Sequence, residues 1–179
     1  MATTTPAPTV DRISPAADAA RRVAQTVTDP ELPMLSLADL GVLRDVWVDD
    51  GRVVVVITPT YTGCPAMDTM RDDLVYTLRA AGYHDVEVRT TLHPPWSTDW
   101  ISAEGKRKLA EYGIAPPGPA PSAVTGPVPL VLTPTVRRVD CPVCGSADTV
   151  ELSRFSATAC KALRRCRTCQ EPFEHVKEI

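Results

Sequence analysis

The stretch ITPTYTGCPA, residues 57–66, decides how the first half of this chain folds. A run of β-branched residues at 53–57 leads into it and predicts a strand. Apolar residues spaced three and four apart follow it over 67–81 and predict an amphipathic helix. We therefore interpret the stretch as the turn between a strand and a helix, with Gly63 freeing the backbone and Pro65 at the first helical position.

Cys64 is the candidate reactive residue of this turn. A cysteine at the start of a helix lies beside unpaired N–H groups and the positive end of the helix dipole, which lower the pKa of its thiol. The thiolate that results is both a nucleophile and a metal ligand. The alternative that position alone leaves open is a small buried cysteine that packs under the helix.

A small α+β domain with a mixed three-stranded sheet extends outward from this turn. Ser14 and Pro15 predict an N-cap and a first-turn proline, and Pro30 and Pro33 end that helix. A strand, helix, strand connection is a right-handed crossover, so the third strand should run parallel to the second. The predicted helices are 15–27, 65–81 and 103–112, with helical turns at 35–40. The predicted strands are 42–48, 52–58 and 85–92, the first two joined by a hairpin turn at 49–51.

The composition describes a globular protein of 179 residues with a net charge of −3. Residues 1–9 contain no apolar secretory segment, and the longest apolar run, 53–57, is too short to cross a membrane. We therefore expect a cytoplasmic protein without a membrane partner. Six cysteines in such a chain indicate metal or thiol chemistry rather than disulfides.

A proline-rich stretch divides the chain into two parts. Residues 115–135 contain seven prolines with interspersed glycine and serine, which predicts an extended linker. Five of the six cysteines follow it. The predicted division is a disordered tail at 1–13, the α+β domain at 14–114, the linker at 115–135 and a cysteine-rich domain at 136–179.

Two C-x-x-C pairs, Cys141 with Cys144 and Cys166 with Cys169, are separated by 21 residues. Four sulfurs in this arrangement form a closed tetrahedral Zn²⁺ site, and a hairpin spans such a gap in a zinc ribbon. A segment this short cannot build a sufficient core, so the metal should supply folding energy. Iron or an iron–sulfur cluster on the same sulfurs is the alternative. Cys160 is left over, either as a buried thiol or as a reactive one.

Basic residues also gather in the cysteine-rich domain. Residues 136–179 contain eight basic and six acidic residues, a net charge of +2. Some ribbons bind nucleic acid through basic strips, but aromatic side chains are not interleaved with these charges. We therefore expect no nucleic-acid partner, and an acidic protein surface fits the basic face at least as well.

The motifs together resemble two known families. Asp29-Pro30-Glu31 after the first helix and the Thr-x5-Cys-Pro turn of 58–65 resemble the small domain of SufT-type iron–sulfur assembly proteins. The remainder resembles the PaaD (also called PaaJ) component of the phenylacetyl-CoA epoxidase system. The segments that carry this second resemblance are WSTDW at 96–100, YGIAPP at 112–117, CPVCGS at 141–146, FSATACKAL at 155–163 and CRTCQEPF at 166–173, whereas EHVKEI at 174–179 departs from the aromatic-rich ending of that family.

The resemblance implies an accessory role in aerobic phenylacetate breakdown. That pathway epoxidises the ring of phenylacetyl-CoA with a di-iron oxygenase that an iron–sulfur reductase supplies with electrons. The chain is expected to help assemble a metal centre in one of these partners rather than to catalyse a reaction, so no catalytic residue is assigned. Cys64 would bind a transient iron–sulfur cluster, with Asp29 and Glu31 near it. A second copy of the chain, a partner or glutathione would complete the ligand set.

Two other functions stay open at this point. One is a docking or regulatory subunit that binds the oxygenase without handling metal. The other is a thiol enzyme that uses Cys64 as nucleophile, which would need a histidine base close by.

Overall fold

The computed structural model describes residues 14–121 and 138–179. The chain divides into two compact units, one ending at Trp96 and the other beginning at Ser97. The predicted tail at 1–13 and most of the predicted linker lie outside the described residues, so both stay predictions. Within the described part of the chain, no helix combines the length and the apolar character that crossing a membrane requires.

The first unit is the predicted α+β domain with a mixed three-stranded sheet. Strand β1 pairs antiparallel with β2, and β2 pairs parallel with β3, which confirms the predicted crossover. The elements in chain order are α1 (Pro15–Ala24), β1 (Leu43–Asp49), β2 (Arg52–Ile57), α2 (Met67–Ala80) and β3 (Val86–Thr90).

Local sequence explains two of the predicted boundaries. The Ser14 side chain accepts a hydrogen bond from the N–H of Ala17 at 3.1 Å and caps α1. At the β1–β2 turn, Asp50 and Gly51 have φ angles of 47° and 81°. A two-residue hairpin needs positive φ at both central positions, which Asp and Gly tolerate.

The core of the first unit lies between the sheet and the two helices, with α1 against β1 and α2 against β3. Strand β2 is almost fully buried, and the buried face of each helix follows the spacing of three and four. Each fully buried large aliphatic side chain contributes roughly 1.5–3 kcal/mol relative to exposure. The buried residues of these elements are Ala17, Ala20, Ala24, Val53, Val54, Val55, Ile57, Met70, Leu74 and Leu78.

The segment 35–40, predicted as one or two helical turns, forms a single turn in which the N–H of Leu40 donates to the carbonyl of Ser36 at 3.1 Å, and the surrounding loop anchors it. The N–H of Asp29 donates to the carbonyl of Leu35 at 2.9 Å, and the N–H of Leu37 donates to the carbonyl of Val27 at 2.9 Å. These bonds satisfy the backbone while Leu35 and Leu37 become fully buried. Asp29 and Glu31 therefore lie in a loop that the buried side chains of Leu35 and Leu37 anchor to the core.

The central helix also begins later than predicted, at Met67 instead of Pro65. Gly63 turns the chain with a φ of 86°, and Cys64 and Pro65 belong to the turn. The N–H of Ala66 hydrogen-bonds to the sulfur of Cys64, so the turn is organised around that side chain.

The second unit contains a four-stranded sheet in the order β4-β7-β6-β5. Strands β5 and β6 form the predicted antiparallel hairpin across the cysteine gap, β7 adds antiparallel to β6, and β4 pairs parallel with β7. The elements are a 3-10 turn (Thr98–Trp100), α3 (Ala103–Glu111), β4 (Ile114–Ala115), β5 (Thr149–Ser153), β6 (Lys161–Cys166) and β7 (Pro172–Val176).

The second unit begins before the boundary that we placed at the proline-rich stretch. Ala115 lies in β4, the N–H of Gly118 donates to Glu178 Oε1 at 3.2 Å, and the N–H of Ala120 donates to Asp99 Oδ1 at 3.0 Å. The start of this stretch therefore packs within the second unit, and helix α3 belongs there too.

The core of the ribbon is small and includes two of the candidate metal ligands. Ala115, Val139, Cys141, Cys166 and Phe173 form one buried cluster. Because two of the ligands lie in this cluster, we expect a bound metal to contribute to its folding.

Candidate functional site

The structure brings together the four cysteines of the two C-x-x-C pairs. Their sulfurs all lie within 4.8 Å of one another. The Sγ atoms of Cys141 and Cys169 are 3.7 Å apart, and those of Cys144 and Cys166 are 3.6 Å apart. Four sulfurs at about 2.3 Å from one tetrahedral ion would have edges of about 3.8 Å. The donor set therefore fits a single metal ion with four thiolate ligands.

Tight turns hold each pair in place. Gly145, with a φ of 71°, donates its N–H to the carbonyl of Cys141 at 2.8 Å. In the second turn the N–H of Cys169 donates to Cys166 Sγ at 3.4 Å, which lowers the pKa of Cys166 to about 6. Hydrogen bonds to sulfur of this kind favour the thiolate that a metal requires.

Burial differs between the two members of each pair. Cys141 and Cys166 are buried in the small core, whereas Cys144 and Cys169 are exposed. Because the protein supplies all four positions, the arrangement matches closed structural sites rather than catalytic sites, which keep one position open.

Cys160 is not part of this group. It is half-buried and its sulfur lies 3.1 Å from Thr158 Oγ1 in the turn before β6. The group of four sulfurs therefore does not extend to Cys160.

Cys64 is buried, with 9% of its surface exposed. Our expectation of a lowered pKa is wrong, because burial raises the pKa of the Cys64 thiol above its ordinary value. The N–H of Ala66 opposes this effect, but α2 starts only at Met67, so the helix terminus lies beyond the cysteine.

Asp29 and Glu31 lie close enough to Cys64 for their charges to add to the rise of its pKa. Asp29 is buried, and its Oδ1 accepts from the backbone N–H groups of Glu31 and Leu32, both at 2.8 Å. It therefore shapes the loop that presents Glu31, which is partly exposed. The three residues that we selected from the sequence lie in one neighbourhood, where negative charge surrounds a protonated sulfur.

Two further residues of this neighbourhood escaped the sequence analysis as site residues. Tyr61 hydrogen-bonds to the sulfur of Cys64 through its side chain. Thr58 is 1% exposed, and its Oγ1 has no hydrogen-bond partner among the described residues. Both residues lie in the same turn of 57–66 as Cys64. Their closeness to Cys64 in the sequence could have identified them as site residues.

Comparison with known proteins matches the two parts of the chain to two different families. A family described as "Iron-sulfur cluster assembly protein" matches residues 17–90, and one described as "PaaD zinc beta ribbon domain" matches residues 126–177. A crystal structure of a domain of unknown function, DUF59, from Bacillus anthracis is 28% identical and covers 52% of this chain and 90% of that one, with a TM-score of 0.49.

Two curated relatives match different shares of the chain. An "Fe-S protein maturation auxiliary factor" from Porphyromonas gingivalis (strain ATCC BAA-308 / W83) is 36% identical over 90 residues, 49% of this chain and 85% of the relative. A putative subunit of the 1,2-phenylacetyl-CoA epoxidase of Escherichia coli (strain K12) is 40% identical over 153 residues, 86% of this chain and 87% of the relative. The chain therefore belongs to the PaaD family of phenylacetyl-CoA epoxidase subunits, in which an iron–sulfur assembly domain is joined to a zinc ribbon.

Proposed function

We propose that this protein is an accessory subunit of a phenylacetyl-CoA epoxidase system and helps to assemble an iron–sulfur or iron centre in the oxygenase or its reductase. Its relatives include a subunit of that epoxidase and a maturation factor for iron–sulfur proteins, which supports both parts of the proposal. The chain assists these partners and performs no step of the epoxidation itself.

In this proposal the ribbon holds a resident Zn²⁺ through Cys141, Cys144, Cys166 and Cys169. Sulfur separations close to a tetrahedral edge support one ion at this position. An iron–sulfur cluster would spread the same four sulfurs over several iron atoms, which sulfurs all within 4.8 Å do not favour. A single iron ion would fit the same sulfurs, so the assignment of zinc rests on the family description.

The observation that carries the proposal is the charge around Cys64. Burial and the carboxylates of Glu31 and Asp29 keep the thiol protonated, which makes it a poor nucleophile at neutral pH. A metal cation favours the thiolate form of Cys64 instead, because the cation displaces the proton from sulfur and is attracted by the same carboxylates. The site is thus better suited to a cationic metal cargo than to thiol catalysis.

The cargo should be held only transiently. One thiolate cannot close the coordination of a cluster, so further ligands must come from a second copy, a partner or glutathione. Ligands contributed from outside can be exchanged for those of a recipient protein, which is the behaviour that transfer requires. Cys64 with Asp29 and Glu31 is the proposed binding site, and the oxygenase and reductase subunits are the proposed partners.

The test replaces Cys64 with Ser in cells that grow on phenylacetate, with Cys160→Ser as the matched control. We expect Cys64→Ser to lower the metal content of the purified oxygenase or reductase together with epoxidase activity, and Cys160→Ser to leave both unchanged. Full metal content and activity with a folded Cys64→Ser protein would contradict the proposal and favour a docking subunit. Normal metal content with lost activity would favour a thiol enzyme.

A further inference from the structure

The second unit contains a cavity of about 230 Å³ that the metal ligands do not line. Residues 115–118 form one wall, and Arg138, Asp140, His175 and Glu178 contribute charged or polar side chains. Arg138 and Asp140 are exposed, whereas His175 is 3% exposed and Glu178 keeps only 9% of its side chain exposed. The buried lining of the cavity therefore includes the imidazole of His175 and the carboxylate of Glu178.

His175 presents a buried polar atom that makes no well-formed hydrogen bond within the described residues. Its Nε2 is buried and has no hydrogen-bond partner among the described residues. A buried polar atom left unpaired costs roughly 1–3 kcal/mol, so such atoms in folded proteins call for a missing partner. Burial also lowers the pKa of His175, which favours the neutral ring, the form that binds a metal ion.

Glu178 is placed to share a ligand with His175. Its Oε1 lies 3.4 Å from His175 Nε2, the distance of a loose ion pair at which no well-formed hydrogen bond joins the two atoms. Two ligand atoms at about 2.1 Å from one tetrahedral ion are about 3.4 Å apart. The N–H of Gly118 donates to the same Oε1 at 3.2 Å, which fixes the carboxylate as outer-shell hydrogen bonds do at metal sites.

We propose that His175 Nε2 and Glu178 Oε1 bind a divalent first-row transition-metal ion in this cavity, separate from the four-cysteine site. Imidazole and carboxylate together suit Zn²⁺, Fe²⁺ and related ions, and the open space beside them admits water to the remaining positions. With two protein ligands the ion would exchange more readily than one held by four thiolates.

The test follows the imidazole nitrogens by NMR while Zn²⁺ is added to the full chain, whose ribbon already contains metal. The chain has three histidines, so each ring can be assigned. We expect the Nε2 resonance of His175 to move and saturate as Zn²⁺ is added. The readout does not depend on Cys64, so its outcome is independent of the metal-assembly role.

Glu178→Gln removes one ligand charge with little change of shape, and Glu111→Gln on helix α3 is the matched control. We expect the glutamine at 178 to weaken Zn²⁺ binding at His175 by about tenfold or more and the control to leave it unchanged. A His175 resonance that stays still in the unsubstituted protein would overturn the proposal without any variant. A response of equal affinity in Glu178→Gln would overturn the role of Glu178.

Discussion

At the scale of single residues, the cysteines of this chain divide by their surroundings. Cys166 accepts an N–H hydrogen bond, which lowers its pKa to about 6. Cys64 is buried beside carboxylates and its pKa rises. The same functional group therefore lies in a cluster of four sulfurs in one unit and beside carboxylates in the other.

The state of Cys64 predicts its reactivity. At pH 7 less than about 1% of a thiol with a pKa above 9.0 is ionised, so iodoacetamide should alkylate Cys64 slowly and the rate should rise with pH beyond 9. Glu31→Gln removes a nearby negative charge that raises the pKa of Cys64, so it should accelerate the reaction at pH 7. Mass spectrometry in a Cys160→Ser background measures the rate.

Glu87→Gln on strand β3 provides the control for this measurement, because its carboxylate pairs with Arg89 and Arg52. It should leave the alkylation rate unchanged. Alkylation of Cys64 at pH 7 as fast as that of an unstructured cysteine peptide would show an activated thiol and revive the thiol-enzyme hypothesis.

Sequence could locate Cys64 but not its protonation state. The strand, turn and helix around it follow from local pattern, and so does its neighbourhood with Asp29-Pro30-Glu31 once the family resemblance is used. Burial and the approach of two carboxylates depend on how the loop after α1 folds back, which brings residues about 35 positions apart together. No local pattern encodes that balance of desolvation and charge.

At the scale of elements, strands and helices with strong periodicity were predictable and short or irregular ones were not. Strands β1, β2 and β3 and helices α1 and α3 lie within a few residues of their predicted ranges. Strand β4 contains two residues and has no period to detect. It exists because its backbone pairs with β7, and that tertiary contact lies beyond any local signal.

Strand β4 and the metal ligands share one small core, which predicts the result of metal removal. Chelation should expose the amides of β5, β6 and β7 to hydrogen exchange and release β4, because Cys141 and Cys166 form part of the cluster around Phe173. The amides of β2 should keep their protection, since their core belongs to the first unit. Hydrogen exchange followed by mass spectrometry measures both groups of amides.

The same experiment can contradict this picture in two ways. Retained protection of β6 after complete metal removal would show that packing alone, including the Lys161–Glu174 ion pair at 2.7 Å, holds the ribbon together. Loss of protection in β2 at the same chelator concentration would show that the two units do not fold independently.

At the scale of the whole molecule, we propose that the chain joins a unit with an exchangeable metal role to a unit with a resident metal. The division at Trp96 and Ser97 gives each unit its own sheet and core. The central claim is that cargo iron depends on Cys64 while the ribbon holds zinc independently of it.

Metal analysis of protein purified and reconstituted without oxygen tests this claim most directly. The account predicts zinc in the unsubstituted protein and in Cys64→Ser alike, and iron with sulfide in the unsubstituted protein only. Iron that persists in Cys64→Ser and disappears when Cys166 is replaced would place the cargo in the ribbon and contradict the account.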